Sequence, residues 1–179
     1  MAADIYGFLG NFQGGGARPN RYEVMLTFPQ GLGSTQIAQK LSFTCKATSI
    51  PGMIIGEAPA AYKGRQLKFP GDISFNDWSV TVLIDNDFLG RSVFEKWQNM
   101  MMGYESNTTQ SGFMAPSKVF GSGTIKQLDR EDNVIQTYVV QGMFPKDVGE
   151  LTLGYDQNDQ IMEQQVTFAV NNIKTDSSR

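Results

Sequence analysis

Two-residue alternation of apolar with mostly polar side chains constrains this chain more than any other feature. In residues 21–28, Tyr22, Val24, Leu26 and Phe28 alternate with Arg21, Glu23, Met25 and Thr27. In residues 41–48, Leu41, Phe43, Cys45 and Ala47 alternate with Ser42, Thr44, Lys46 and Thr48. In residues 77–84, Trp78, Val80, Val82 and Ile84 alternate with Asp77, Ser79, Thr81 and Leu83. Successive side chains of an extended backbone point to opposite faces, so each run describes a strand with one dry side. Two further segments, 118–128 and 134–144, flank the polar spacer Asp129-Arg130-Glu131-Asp132-Asn133 and read as a hairpin. Residues 151–155 and 161–170 read as another, closed across Asp156-Gln157-Asn158-Asp159.

One helix is predicted among the strands. Leu89, Val93, Trp97 and Met101 recur at four-residue steps with Phe94 beside them, which is the apolar stripe of a helix lying on a sheet. Asp85-Asn86-Asp87 offers capping carboxylates at its start, and Gly103 is placed to end it. The expected fold is therefore mainly β. It is a small two-sheet β-barrel or sandwich with one flanking α-helix over about 87–102 and an extended hairpin loop over about 50–69.

That loop is unusually apolar. It contains Pro51, Met53, Ile54, Ile55, Pro59, Ala60, Ala61 and Tyr62, and its charges before Phe69 are Glu57, Lys63, Arg65 and Lys68. Such a loop needs a cover, either its own body or another subunit. The expected inter-subunit stacking residues are Met53, Ile54, Ile55, Ala60, Ala61 and Tyr62. Ahead of the first strand, Ile5, Phe8, Leu9 and Phe12 mark one face of a short helix with Asp4 as its cap, followed by Gly14-Gly15-Gly16. This arm either contacts a neighbouring copy or covers its own domain. With 179 residues the chain divides into an arm (1–20), one domain (21–171) and a tail (172–179).

Several chemistries are ruled out by composition. The sequence has no histidine, which removes the commonest general base and metal ligand, and a Ser–His or Cys–His pair with it. A single cysteine, Cys45, allows no intrachain disulfide and no thiolate cluster. On the apolar side of its strand, Cys45 is expected to be buried and inert. Ser122 lacks the glycine two positions earlier that a nucleophile elbow needs, and Gly14–Gly16 leads into Ala17-Arg18-Pro19 rather than a phosphate loop. Asp156–Gln160 begins like a calcium loop but Ile161 stands where the turn glycine belongs. Asp85 with Asp87 fits helix capping better than a divalent ion, and no cofactor or metal is expected. Asn107-Thr108-Thr109 matches a glycosylation acceptor that matters only on secretion, and no leader is expected because the first basic residue is Arg18. No run approaches the ~20 apolar residues of a membrane helix. Net charge is −3, and Lys63, Arg65 and Lys68 form a small cationic cluster better suited to a solvated or intersubunit face than to nucleic acid. These features describe a non-enzymatic, β-rich assembly subunit.

Five stretches in order resemble the tail tube proteins of contractile-tailed bacteriophages. They are Ala17-Arg18-Pro19-Asn20; Phe43-Thr44-Cys45-Lys46-Ala47-Thr48 with Pro51; Gly71-Asp72 with Phe75-Asn76-Asp77-Trp78-Ser79-Val80-Thr81-Val82; Phe94 with Trp97-Gln98; and Gly142-Met143-Phe144-Pro145 with Val148-Gly149-Glu150-Leu151 and Tyr155-Asp156. The likeness runs from about residue 17 to residue 170, with residues 1–16 and 104–117 least alike.

The resemblance implies a structural virion protein: hexameric rings of self stacked into a hollow tube inside the contractile sheath, the conduit for DNA ejection into the host. The implied partners are the tail sheath protein, a tape measure protein in the lumen before ejection, the baseplate hub and the tail terminator. DNA passes without specific binding, and no membrane is involved. The implied location is the virion tail, with assembly in the host cytoplasm. The resemblance also assigns the channel to one extended sheet from strands 41–48, 73–84, 118–128 and 134–144. Alternation then nominates Ser42, Thr44, Lys46, Asp77, Ser79, Thr81, Ser122 and Thr124 as lumen-facing, with Asp77 offsetting Lys46. Two alternatives stay open: a tube subunit of a related contractile injection or secretion system, including a baseplate tube initiator, and a soluble β-sandwich binding module, which would remain monomeric.

Overall fold

The computed structural model describes residues 5–11, 16–33, 35–109 and 115–176. In chain order the elements are α1 (Ile5–Asn11), β1 (Tyr22–Thr27), α2 (Thr35–Thr44), β2 (Cys45–Thr48), β3 (Met53–Tyr62), β4 (Arg65–Phe75), β5 (Trp78–Leu83), α3 (Leu89–Met101), the one-turn α4 (Pro116–Val119), β6 (Gly121–Leu128), β7 (Val134–Val148), β8 (Glu163–Ala169) and β9 (Asn172–Thr175). Strands β3 and β4 pair only with each other; the remaining strands form a continuous antiparallel path in the order β1-β6-β7-β8-β5-β2, with β9 on β7.

The 15-residue β7 makes this path sandwich-like. Its first part, through Met143, pairs with β6 and β9, and its last part, from Phe144, pairs with β8. Gly142 sits at the switch with φ +64, and a Cβ there would lie 2.9 Å from the Asn171 side chain, so glycine is required. The two halves of the path face each other across the core. Val24 and Leu26 (β1), Ile125 (β6), Val140 and Met143 (β7) meet Trp78, Val80 and Val82 (β5) and Val166 and Phe168 (β8). The halves interlock through glycine: a Cβ on Gly123 would stand 2.3 Å from the Trp78 ring, and one on Gly121 2.6 Å from Trp97. Both indole N–H groups are satisfied, Trp78 donating to Thr48 Oγ1 and Trp97 to the Val119 carbonyl, each at 2.9 Å.

The path does not close into a barrel. Its end strands, β1 and β2, share no ladder; the Tyr22 hydroxyl donates to the Lys46 carbonyl at 2.6 Å instead. Helix α3 caps the core with Val93, Phe94 and Trp97 as expected from its stripe. The Asp87 carboxylate accepts the Leu89 N–H at 3.1 Å, and Lys40 bridges Asp85 and Asp87. The candidate divalent site is thus filled by an ammonium. Gly103 does not end the helix; Met102 leaves it in an extended conformation, and the Gly103 N–H closes the next turn onto Thr108.

The structure corrects further expectations of secondary structure. Residues 41–44 are helical, so a second substantial helix joins α3. Ile37 and Leu41, four apart, pack on the core while Phe43 points outward, 90% exposed. The short alternation there coincides with a helix-forming stretch, and burial on the 3.6-residue period wins. Residues 151–155 form no strand: the β7–β8 ladder ends at Val148–Val166, and the chain leaves it after the Gly149 N–H donates to the Gln165 carbonyl at 2.9 Å. Residues 116–119 make a helical turn, delaying β6 to Gly121. Finally, the expected tail from 172 begins as strand β9, ordered against β7. The 129–133 turn is as read: the Asp129 carboxylate accepts the Glu131 and Asn133 N–H groups at 2.7 and 2.9 Å.

Candidate assembly surfaces

The β3–β4 hairpin stands apart from the body. All ten residues of β3 and, apart from Phe75, every residue of β4 are exposed. A two-residue turn, Lys63 (φ 47) and Gly64 (φ 80), closes it with the left-handed geometry that matches strand twist. Ten strand residues reach about 33 Å.

The register splits the hairpin into two chemically different halves. Directly paired residues share a face. One face carries the pairs Met53–Phe75 and Ile55–Ile73, then Glu57–Pro70, Pro59–Lys68 and Ala61–Gln66. The other carries Ile54–Ser74, then Ala58–Phe69, Ala60–Leu67 and Tyr62–Arg65. Between Ile55 and Glu57 a bulge inserts one extra residue on β4, where Gly71 lies so close to Gly56 that a Cβ would be 3.0 Å from its carbonyl oxygen. The bulge moves the β4 apolar residues to the opposite face. The hairpin is apolar on one side near its base and on the other side toward its tip, where the wet side holds the Lys68–Glu57 ion pair at 2.6 Å. The six residues expected to stack are therefore divided: Met53, Ile55 and Ala61 on one face, Ile54, Ala60 and Tyr62 on the other. Leu67, Phe69, Ile73 and Phe75 belong to the same surfaces. The expected hairpin of 50–69 ends short of Ile73 and Phe75 and gives its return strand no register, so these residues are not among those expected to stack.

Other apolar groups are exposed as well. In α1, Ile5, Phe8 and Leu9 are exposed, while Phe12 and Asp4 lie outside the described residues. Beside edge strand β1, Met25 and Phe43 line a groove between β1 and α2. The irregular segment 150–162 exposes Leu153, Tyr155 and Ile161. Its base is tied down by a buried knot: Gln164, with no exposed surface, donates to the Gly149 carbonyl at 2.6 Å, and Arg91 donates to that carbonyl at 3.2 Å and to the Gln164 side-chain oxygen.

The residues nominated for the lumen do not form one surface. Ser42 and Thr44 lie on α2, the Thr44 hydroxyl donating to the Lys40 carbonyl at 3.1 Å. Ser122 and Thr124 lie on the outer face of β6, opposite Gln141 and Val139. Ser79 and Thr81 lie on the outer face of β5, opposite Thr167 and Gln165, on the far side of the core. Lys46 and Asp77 flank this second face but do not meet: Lys46 pairs with Glu163, and Asp77 with Lys146 at 2.8 Å.

Cys45 is half-buried rather than enclosed, its thiol directed at the Ala47 carbonyl at 3.7 Å. Burial pushes it up to about 11, partly offset by that hydrogen bond. The expected register with Phe43 fails because the helix ends at Thr44. Among the described residues no three acidic or thiol groups converge as metal ligands, and no helix is long and apolar enough to cross a membrane.

Similarity to known proteins fits this picture of a body with spare contact surface. The protein is 31% identical to the tail tube protein gp19 of Enterobacteria phage T4 over 155 residues, 86% of this chain and 88% of that one. It is 30% identical to the tail tube protein of Serratia phage KSP90, over 82% of this chain and 81% of that one. Its fold matches a chain of the anti-feeding prophage baseplate (TM-score 0.64, 10% identity, 89% and 95% of the two chains covered). It also matches a chain of the PVC sheath-tube complex of an extracellular contractile injection system (TM-score 0.58, 13% identity, 97% and 98% covered). The profile described as phage tail tube protein spans residues 17–175, from the approach to β1 through the last residue of β9, and the chain belongs to that family.

Proposed function

We propose that the protein is a structural subunit of the virion tail, forming hexameric rings that stack into the hollow tube within a contractile sheath and conduct DNA to the host. The observation that carries this reading is the free-standing apolar hairpin on a fully packed body. It needs a partner, and a contact repeated at every ring makes a modest local gain large for the polymer. Burying one side chain of the size of Ile54 is worth about 1.5–3 kcal/mol. The role is non-enzymatic. The sheath protein covers the tube outside, a tape measure protein fills it before ejection, and the baseplate hub and tail terminator cap its ends. Assembly takes place in the host cytoplasm.

Of the two outer sheet faces, that of β5 and β8 suits the bore. Ser79, Thr81, Gln165 and Thr167 are uncharged, and its flanking charges cancel in the Lys46–Glu163 and Asp77–Lys146 pairs. A wall without net cationic charge lets a polyanion slide rather than bind. The α1 residues Ile5, Phe8 and Leu9 contribute neighbour contacts.

Sedimentation and negative-stain microscopy of the purified protein test the assembly. Rings or tubes with a central hole are expected, and Ile54→Asp with Ile55→Asp should stop stacking while the subunit stays folded; normal tubes from that variant sink the stacking reading. Ser79→Lys with Thr81→Lys should slow ejection in a salt-dependent way, and Ser122→Lys with Thr124→Lys should not. The reverse outcome exchanges the two faces.

A further inference from the structure

The hairpin is cationic where it is apolar. Ala58, Ala60, Tyr62, Leu67 and Phe69 share its distal dry face. Lys63 at the turn lies 5.4 Å from the centre of the Tyr62 ring, and Arg65 pairs across from Tyr62. Neither cation has an ion-pair partner among the described residues, whereas Lys68 on the wet face is matched with Glu57.

Segment 150–162 carries the complementary chemistry. Leu153, Tyr155 and Ile161 are exposed, and Glu150, Asp156 and Asp159 around them have no ion-pair partner among the described residues. Much of the body's other exposed acid is already matched: Glu23 by Lys126, Asp77 by Lys146, Asp85 and Asp87 by Lys40, Asp132 by Arg21, and Glu163 by Lys46. The segment is also held in place at its start by the Arg91–Gln164–Gly149 knot, so it presents its groups from a fixed base. Both surfaces are exposed in the same chain, so neither covers the other within one subunit.

We propose that the distal face of the hairpin docks on segment 150–162 of a second copy, with Lys63 and Arg65 facing Glu150, Asp156 and Asp159. Apolar groups supply the buried centre and the opposite charges ring it, which fixes register and rejects wrong neighbours. Two different patches of one chain are joined, so the contact is head-to-tail and propagates, as a stacked polymer requires. The inference rests on the stacking reading above and names the surface that receives the hairpin.

Charge exchange in the full-length protein tests the pairing. Lys63→Glu with Arg65→Glu, and separately Asp156→Lys with Asp159→Lys, should each raise the concentration needed for assembly at low salt by about tenfold or more. The four changes together should bring it back toward the unmodified value. If the separate reversals act but the combination gives no recovery, or if neither acts, segment 150–162 does not receive the hairpin. Ile54→Asp with Ile55→Asp is the control: if it still blocks stacking while the reversals do nothing, only the pairing falls; if it too assembles, the stacking reading falls with it. Circular dichroism checks that each subunit is folded. As an independent readout, Lys63→Cys with Asp156→Cys in a Cys45→Ala background should form inter-copy disulfides under mild oxidation by oxidised glutathione. Absence of those cross-links from assembled material overturns the proposal.

Discussion

The body and the hairpin are made of the same material and treat it in opposite ways. Both are antiparallel strands rich in aliphatic and aromatic residues. In the body, Trp78, Trp97 and Phe168 are 0% exposed, and the Trp78 and Trp97 rings both contact Phe168, with centroids 5.6 and 6.1 Å away. In the hairpin, Phe69 and Leu67 remain half-exposed, with no third layer to pack on. A lone two-stranded ribbon is marginal in water. The body thus folds on its own contacts, whereas the hairpin's apolar surface gains its stabilisation only when another molecule covers it. On the proposed reading, the sharp division of burial between them separates what makes the subunit from what makes the assembly.

Substitutions in the two regions should separate the same way. The largest effect is expected from Trp97→Ala, which removes a fully buried ring from the centre of the core and should cost about 3–5 kcal/mol of subunit stability. Phe69→Ala, an equally aromatic truncation, should leave subunit stability within about 0.5 kcal/mol by chemical denaturation, yet weaken assembly. If Phe69→Ala destabilises the isolated subunit like the core variant, the hairpin is part of the folding unit.

Cys45 sharpens the boundary of the body. Its thiol titrates higher in the folded chain than in the unfolded one, because burial disfavours the thiolate. The unfolded state therefore loses its proton first as pH rises. Stability should fall between the ordinary thiol range and about 11, and Cys45→Ala should flatten that slope in denaturation measured across pH. Labelling by a thiol reagent at neutral pH should be slow. Rapid labelling would show that the β1–β2 edge opens.

The smallest effect is expected at Lys40. Its ammonium holds Asp85 and Asp87 below the usual carboxylate range, and they in turn raise it. A lowered carboxylate pKa contributes stability above the unfolded value that is lost as pH falls through the folded one. Lys40→Met should thus be slightly less stable at neutral pH, and the gap should close on acidification and in high salt. A gap that persists in acid would mean that the lysine stem matters more than its charge.

Much of this division was legible beforehand. The alternation of Val24 and Leu26, of Trp78, Val80 and Val82, and the stripe of Val93, Phe94 and Trp97 named the core. The hairpin's excess of exposed apolar residues was also readable as a surface awaiting a cover. At Ser42, Phe43 and Thr44 the pattern failed although 41–48 alternates for as long as the runs that held, because Ile37 and Leu41, four apart, carry a helical face onto the core. At Leu151–Tyr155 it failed because local sequence does not reveal that the β7–β8 ladder stops at Val148–Val166.

Side-chain chemistry and its period alone thus determined the dry residues of β1, β5 and α3, that strands dominate, and that Asp129–Asn133 is a turn. Tertiary structure decided which dry faces share a core, that Ser79 and Ser122 stand on opposite sides of it, and that Lys46 finds Glu163 rather than Asp77. It also placed the bulge at Gly71 that turns the hairpin's apolar stripe from one face to the other. Those outcomes depend on pairing between distant segments, and a one-residue change in register reverses a strand's faces without altering a letter of its sequence.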